Sequence, residues 1–148
     1  MCAGGLFGTP YGRISSMNCF LNLSNHTSSN WSEPQRAAAE SYGTIEDMPF
    51  PPIDSQMTEE EVLELVSRYL GKIKEMKPAA VMCQGEFTFT FALVNGIIDA
   101  GIKCVAACSR RMVKEYPQED GTVRKEVKFE FDGFREYRTL SGGSCDEK

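Results

Sequence analysis

The spacing of apolar and polar positions changes several times along this chain, and each change marks an element. Met17-Asn-Cys-Phe-Leu-Asn-Leu23 is a short apolar run that predicts a first strand. Ser24-Asn-His-Thr-Ser-Ser-Asn30 follows, a cluster of turn and cap formers. Ser32 suits an N-cap, with Pro34 in the first turn and Gln35 at the capping-box position. The helix it opens runs from Glu33 and stops at Gly43. Residues 44–50 predict a second strand, ended by Pro51-Pro52. Thr58-Glu-Glu-Glu61 is a capping box with acids at the positive end of a helix. Val62, Leu65, Val66, Tyr69, Leu70 and Ile73 then recur at helical spacing as far as about Met76.

Ala79-Ala-Val-Met-Cys83 is continuously apolar, the pattern of a strand covered on both faces of a parallel sheet. Gln84-Gly85-Glu86 makes a tight turn into an apolar helix over residues 87–100, closed by Gly101. Residues 102–108 predict another buried strand, with Ser109-Arg110-Arg111 directly after it. Residues 111–116 and 122–137 alternate in strand fashion around Pro117-Gln-Glu-Asp-Gly121, which predicts a hairpin. The order β-α-β-α-β-α-β plus hairpin implies an α/β fold. Its expected form is Rossmann-like and three-layered, with a mainly parallel sheet and a C-terminal antiparallel β-hairpin. Residues 1–16 are expected to be a disordered leader, residues 17–140 a single domain, and residues 141–148 a flexible tail.

Composition narrows the class. A chain of 148 residues suits one domain with one real core. The net charge of −5 gives no global basic footprint for duplex nucleic acid, although a local site for a small anion is compatible with it. No run of about 18 apolar residues exists, and the N-terminal stretch lacks the apolar core of a signal peptide, so no membrane span and a cytoplasmic location are expected. Six cysteines invite a disulfide reading. Four lie in or beside apolar strand runs and no CxxC occurs, so buried thiols are expected instead. One histidine and unsuitable spacings argue against zinc, and no cofactor is expected.

In open sheets of this kind ligands bind outside the carboxyl ends of the strands. That rule selects three loops. The first holds Ser24, Asn25, His26, Thr27 and Ser28, whose hydroxyls and amides before a helix suit an anion; the plain alternative is a capped turn with a solvated histidine. The second holds Gln84, Gly85, Glu86 and Thr88. Here the glycine admits close approach and the glutamine suits a base edge or ribose hydroxyl, or else Gly85 makes the turn and Glu86 complements the helix dipole. The third holds Ser109, Arg110 and Arg111, whose guanidinium forks match phosphate oxygens, or are solvated surface groups. No GxGxxG, Walker sequence, Ser–His–Asp signature or carboxylate pair stands out. The helix over residues 87–100 is apolar on more than one face, which suggests a partner subunit.

Four stretches carry a family resemblance: Val81-Met-Cys-Gln-Gly-Glu-Phe-Thr88, Ala106-Ala-Cys-Ser-Arg-Arg-Met-Val-Lys-Glu115, Asp120-Gly-Thr-Val123 and Phe134-Arg-Glu-Tyr137. With Leu21-Asn-Leu-Ser-Asn-His-Thr27, the chain resembles small CRISPR-associated ancillary proteins of type III loci, related to the CARF (CRISPR-associated Rossmann-fold) group. The resemblance implies binding of cyclic oligoadenylate messengers by a homodimer, with the ring on the two-fold axis. In some members it also implies metal-independent cleavage, in which a ribose 2′-hydroxyl attacks the adjacent phosphate and leaves a 2′,3′-cyclic phosphate. On that reading His26 exchanges the proton, and Arg110 or Arg111 stabilises phosphate charge. Ser24, Thr27, Ser28 and Ser109 orient phosphates, and Gln84 reads adenine or ribose. A sensor that binds without turnover, and a Rossmann-like binder of another nucleotide or sugar phosphate, are the alternatives.

Overall fold

A computed structural model describes residues 18–140. The expected leader and tail lie outside the described residues. Over the described residues the fold is α/β, with a five-stranded, mostly parallel sheet and three helices. In chain order the elements are β1 (Cys19–Ser24), α1 (Glu33–Glu40), β2 (Thr44–Asp47), α2 (Glu59–Met76), β3 (Ala80–Gln84), α3 (Phe87–Asp99), β4 (Cys104–Pro117) and β5 (Val123–Glu136). A short 3₁₀ turn, Ser28–Asn30, precedes α1. The strands lie in the order β2-β1-β3-β4-β5. All neighbours are parallel except β4 and β5.

Local chemistry accounts for the helices. The Ser32 hydroxyl accepts from the Gln35 N–H at the start of α1, with Pro34 in the first turn. Thr58 and Glu61 form a reciprocal capping box at α2, at 2.9 and 3.2 Å. Lys77, in the left-handed region at φ 49°, ends α2 before Pro78. Gly43, at φ 151°, sits where any side chain would run into the Asn18 carbonyl, which is why α1 can turn so tightly into β2.

The central strands bury both faces, as their unbroken apolar runs require. Leu21, Leu23, Val81 and Cys83 pack with α2 and α3 through Val66, Ile73, Phe89, Leu93 and Ile97. On the other face Phe20, Ala80, Met82 and Val105 pack with Ala39 of α1 and with Trp31, Tyr42 and Phe134. Cys19, Cys83 and Cys104 are buried thiols and Cys108 is half-buried, all four of them free. Among the described residues no helix is long and apolar enough to cross a membrane.

One element differs from the expectation. The strands expected over residues 102–108 and 111–116 are one strand, β4 (Cys104–Pro117), and Ser109, Arg110 and Arg111 lie within it rather than in a loop. Antiparallel pairing with β5 continues through them, from Val105 opposite Glu136 to Pro117 opposite Val123, with one irregularity at Cys108/Ser109. Parallel pairing of β4 with β3 stops at Val105, so the outer part of β4 and β5 extends past the sheet as a two-stranded overhang.

Candidate functional site

A cleft of about 630 Å³ opens above the carboxyl ends of β1 and β3. Its place follows from topology: the chain leaves β1 toward one edge of the sheet and leaves β3 toward the other, so the loops part there. Ser24, Asn25, His26, Gln84, Gly85 and Ser109 line it, so the structure gathers candidates from all three selected segments. Trp31, Gln35, Met82, Ala107, Phe129 and Phe131 complete much of the wall.

A hydrogen-bond network holds the loop after β1. Asn22, buried on β1, donates its amide to Asp47 Oδ1 at 2.7 Å and to the His26 carbonyl at 2.8 Å. The Ser24 hydroxyl donates to Asn22 Oδ1 at 2.8 Å. Ser28 donates its N–H and its hydroxyl to the two Asp47 oxygens at 3.0 and 2.9 Å. Burial by itself would raise the Asp47 pKa. The Asn22 and Ser28 donors and the charge of Arg36 outweigh it and hold the carboxyl below its usual range. Ser24 and Ser28 are therefore occupied in shaping the loop, and Ser28 does not line the cleft. Thr27, exposed, pairs with Ser29 at 3.0 Å and also stays outside it.

The second loop divides the same way. Glu86 caps α3, accepting from the Phe89 N–H at 2.8 Å and from the Thr88 hydroxyl at 2.8 and 2.9 Å. The Phe89 N–H, set against a small cost of desolvation and helped by Thr88, holds the Glu86 carboxyl below its usual range. Glu86 and Thr88 thus serve the helix and do not line the cleft. Gly85 is required, because a side chain there would run into the Phe50 ring. Gln84 bridges the place where β3 and β4 part, its carbonyl oxygen accepting from the Ala107 N–H. That bond orients the amide, since only the oxygen can accept, and leaves its NH₂ for the cleft.

The two arginines part company. Strand alternation puts Arg110 on the side of the overhang away from the cleft, where it forms a forked pair with Asp132 at 2.6 and 3.2 Å. Arg111 lies opposite Phe129, on the same side as Ser109 and the cleft-lining Phe131. Among the described residues, no Lys or Arg lines the cleft.

Sequence reasoning missed Asn22, Asp47, Trp31, Gln35, Phe129 and Phe131. The aromatic pair had a readable signal: Val127, Phe129 and Phe131 alternate with charged residues, which marks one face of a strand. Asn22 and Asp47 meet only through the β1–β2 pairing, and nothing local announces it.

The family described as "Uncharacterized protein MJ1673 family" matches residues 18–135. No curated protein matches the chain.

Proposed function

We propose, from the premise that this chain belongs to the uncharacterized protein MJ1673 family, that its cleft binds a nucleotide ligand, and that the ligand is a cyclic oligoadenylate shared between two copies of the chain. The observation that carries the reading is the composition of the cleft walls. The lining combines the polar groups of Asn25, His26, Gln84 and Ser109 with the rings of Trp31, Phe129 and Phe131. A base needs a flat apolar surface to stack on, and ribose and phosphate need directed donors. The volume of about 630 Å³ suits part of a ring rather than a whole one, which is what a ring on a two-fold axis asks of each copy. The order β2-β1-β3-β4-β5, with a packed cluster on each side of the sheet, supports a Rossmann-like three-layer reading ending in a β-hairpin.

Cleavage on this reading is positioning and charge stabilisation. The ribose O2′ attacks phosphorus, the P–O5′ bond breaks, and a 2′,3′-cyclic phosphate and a 5′-hydroxyl result. The proton leaves O2′ and one is delivered to O5′. His26 is the cleft group suited to that exchange. Charge growing on the phosphate needs a cation, and Arg111 is the arginine on the cleft side. The described lining is made of polar and aromatic side chains, which suits a second reading, a sensor that holds the ring without cutting it.

Incubation with labelled cyclic tetra-adenylate in EDTA separates the two. Linear product identifies the enzyme, and retention without product identifies the sensor. No binding at micromolar protein overturns both. If product forms, His26→Ala and Arg111→Ala each slow it about 100-fold. Arg110→Ala, on the far side and paired with Asp132, leaves it unchanged.

A further inference from the structure

The overhang of β4 and β5 has two unlike faces. Away from the cleft, charge is matched within the chain: Arg110 pairs with Asp132, and Arg124 lies over the Tyr116 ring at 4.8 Å. On the cleft side the cross-strand pairs are Arg111 with Phe129, Val113 with Val127, and Glu115 with Lys125. Phe129 is 68% exposed, Val127 46% and Val113 44%. Glu115 and Lys125 meet loosely at 4.0 Å. A row of exposed apolar side chains on one face of a two-stranded ribbon is a surface without its cover.

We propose that this face docks against the same face of a second copy of the chain. Its charge pattern is complementary to itself. Two such faces stacked with their strands aligned, on a two-fold axis centred on the valine pair, relate in two ways. An axis along the strands sets Arg111 on the partner's Phe129, Val113 on the partner's Val127, and Glu115 on the partner's Lys125. An axis across the strands, through the valine pair, sets Arg111 on the partner's Glu115, Lys125 on the partner's Phe129, and each valine on itself. Either way every cation meets a carboxylate or a ring, and the valines meet valines. A surface complementary to itself is what an isologous interface requires. The strip is narrower than a permanent interface, so the association is reversible.

Phe129 belongs both to this face and to the cleft wall, so docking brings two clefts to one axis. With the axis along the strands, the partner's Arg111 sits over Phe129 of the cleft wall. The surface itself is independent of the ligand proposed above, and its test uses none.

The test is sedimentation velocity over a concentration series, on the chain alone. Wild type is expected to move from monomer toward dimer as concentration rises. Val127→Glu should weaken association at least about tenfold, and Lys125→Glu should weaken it less, because each sets a carboxylate where the pattern wants an apolar group or a cation. Circular dichroism should show both variants folded, since neither position is buried. Phe91→Glu, on the exposed side of α3, is expected to leave association intact. A wild type that stays monomeric overturns the proposal. So does a dimer indifferent to Val127→Glu, or one dissociated only by Phe91→Glu, which would place the interface on α3.

Discussion

β4 and β5 are each one uninterrupted strand, yet their two halves are held by different physics. At the root, Cys104 and Val105 are buried, β3 pairs alongside, and Phe134 packs 5.0 Å from Phe20 on one side and 5.0 Å from Phe131 on the other. Tyr137 donates its hydroxyl to the Cys83 carbonyl at 2.8 Å across the sheet. Past the Cys108/Ser109 irregularity, residues 109–117 and 123–131 have mostly exposed side chains and only each other to pair with. A lone two-stranded ribbon is marginal in water. The overhang therefore borrows its order from the root, and adds cross-strand ion pairs and ring contacts of small individual worth.

The sharpest way to break that contrast uses two phenylalanines five residues apart on β5. Phe134→Ala removes a ring from the Phe20–Phe134–Phe131 stack and should cost about 3 kcal/mol, the low end for a core phenylalanine because Phe134 is only partly buried. Phe129→Ala, at 68% exposure, should change monomer stability by less than about 0.5 kcal/mol. Urea unfolding at low protein concentration measures both. Equal losses would mean that the overhang is part of the core and that the contrast is false.

The same contrast marks what the sequence could announce. The capping box of α2 and the apolar runs of β1 and β3 are local signals, and those elements stand close to where they were expected. The loops after β1 and β3 meet at one cleft because β1 lies between β2 and β3, an order that the alternation of strands and helices does not by itself give. The third candidate segment was misplaced for a readable reason. From Cys104 to Pro117 there is no Gly, Asn or Asp to turn the chain, so Ser109, Arg110 and Arg111 had to continue the strand. Which serines would serve the ligand and which the loop was not legible. Ser24 and Ser28 are claimed by Asn22 and by Asp47 of β2, partners that only sheet pairing brings near.

Tyr137 sharpens the root side of the contrast. Burial, reinforced by the neighbouring Cys83 and Cys104 thiols, pushes its hydroxyl up to about 12. A group raised in the folded state contributes stability that is whole below its unfolded value near 10 and is lost as pH rises through the folded value. Tyr137→Phe should cost about 1 kcal/mol at neutral pH through the lost bond to Cys83. That deficit should shrink between pH 10 and about 12, because only wild type still has a phenol to ionise. Unfolding midpoints across that range test it, and a deficit that stays constant would separate the tyrosine from the alkaline loss.

The smallest effect lies in the overhang and needs a local probe. The Arg110–Asp132 pair is exposed on both sides, at 60% and 44%, so its loss should leave global unfolding unmoved. It does span the Cys108/Ser109 irregularity, where the regular ladder is interrupted and Asp132 is the extra residue on β5. A forked contact there restrains the joint on which the overhang pivots. In wild type, amides of residues 109–117 should exchange with solvent faster than those of the root, because their opening needs no core to separate. Asp132→Asn should speed exchange in the overhang alone, and added salt should do the same to wild type and little to the variant. Faster exchange reaching Val105 or Phe134 would show that the two halves open together. Exchange confined to residues beyond Ser109 would show that the irregularity is where the supported strand ends.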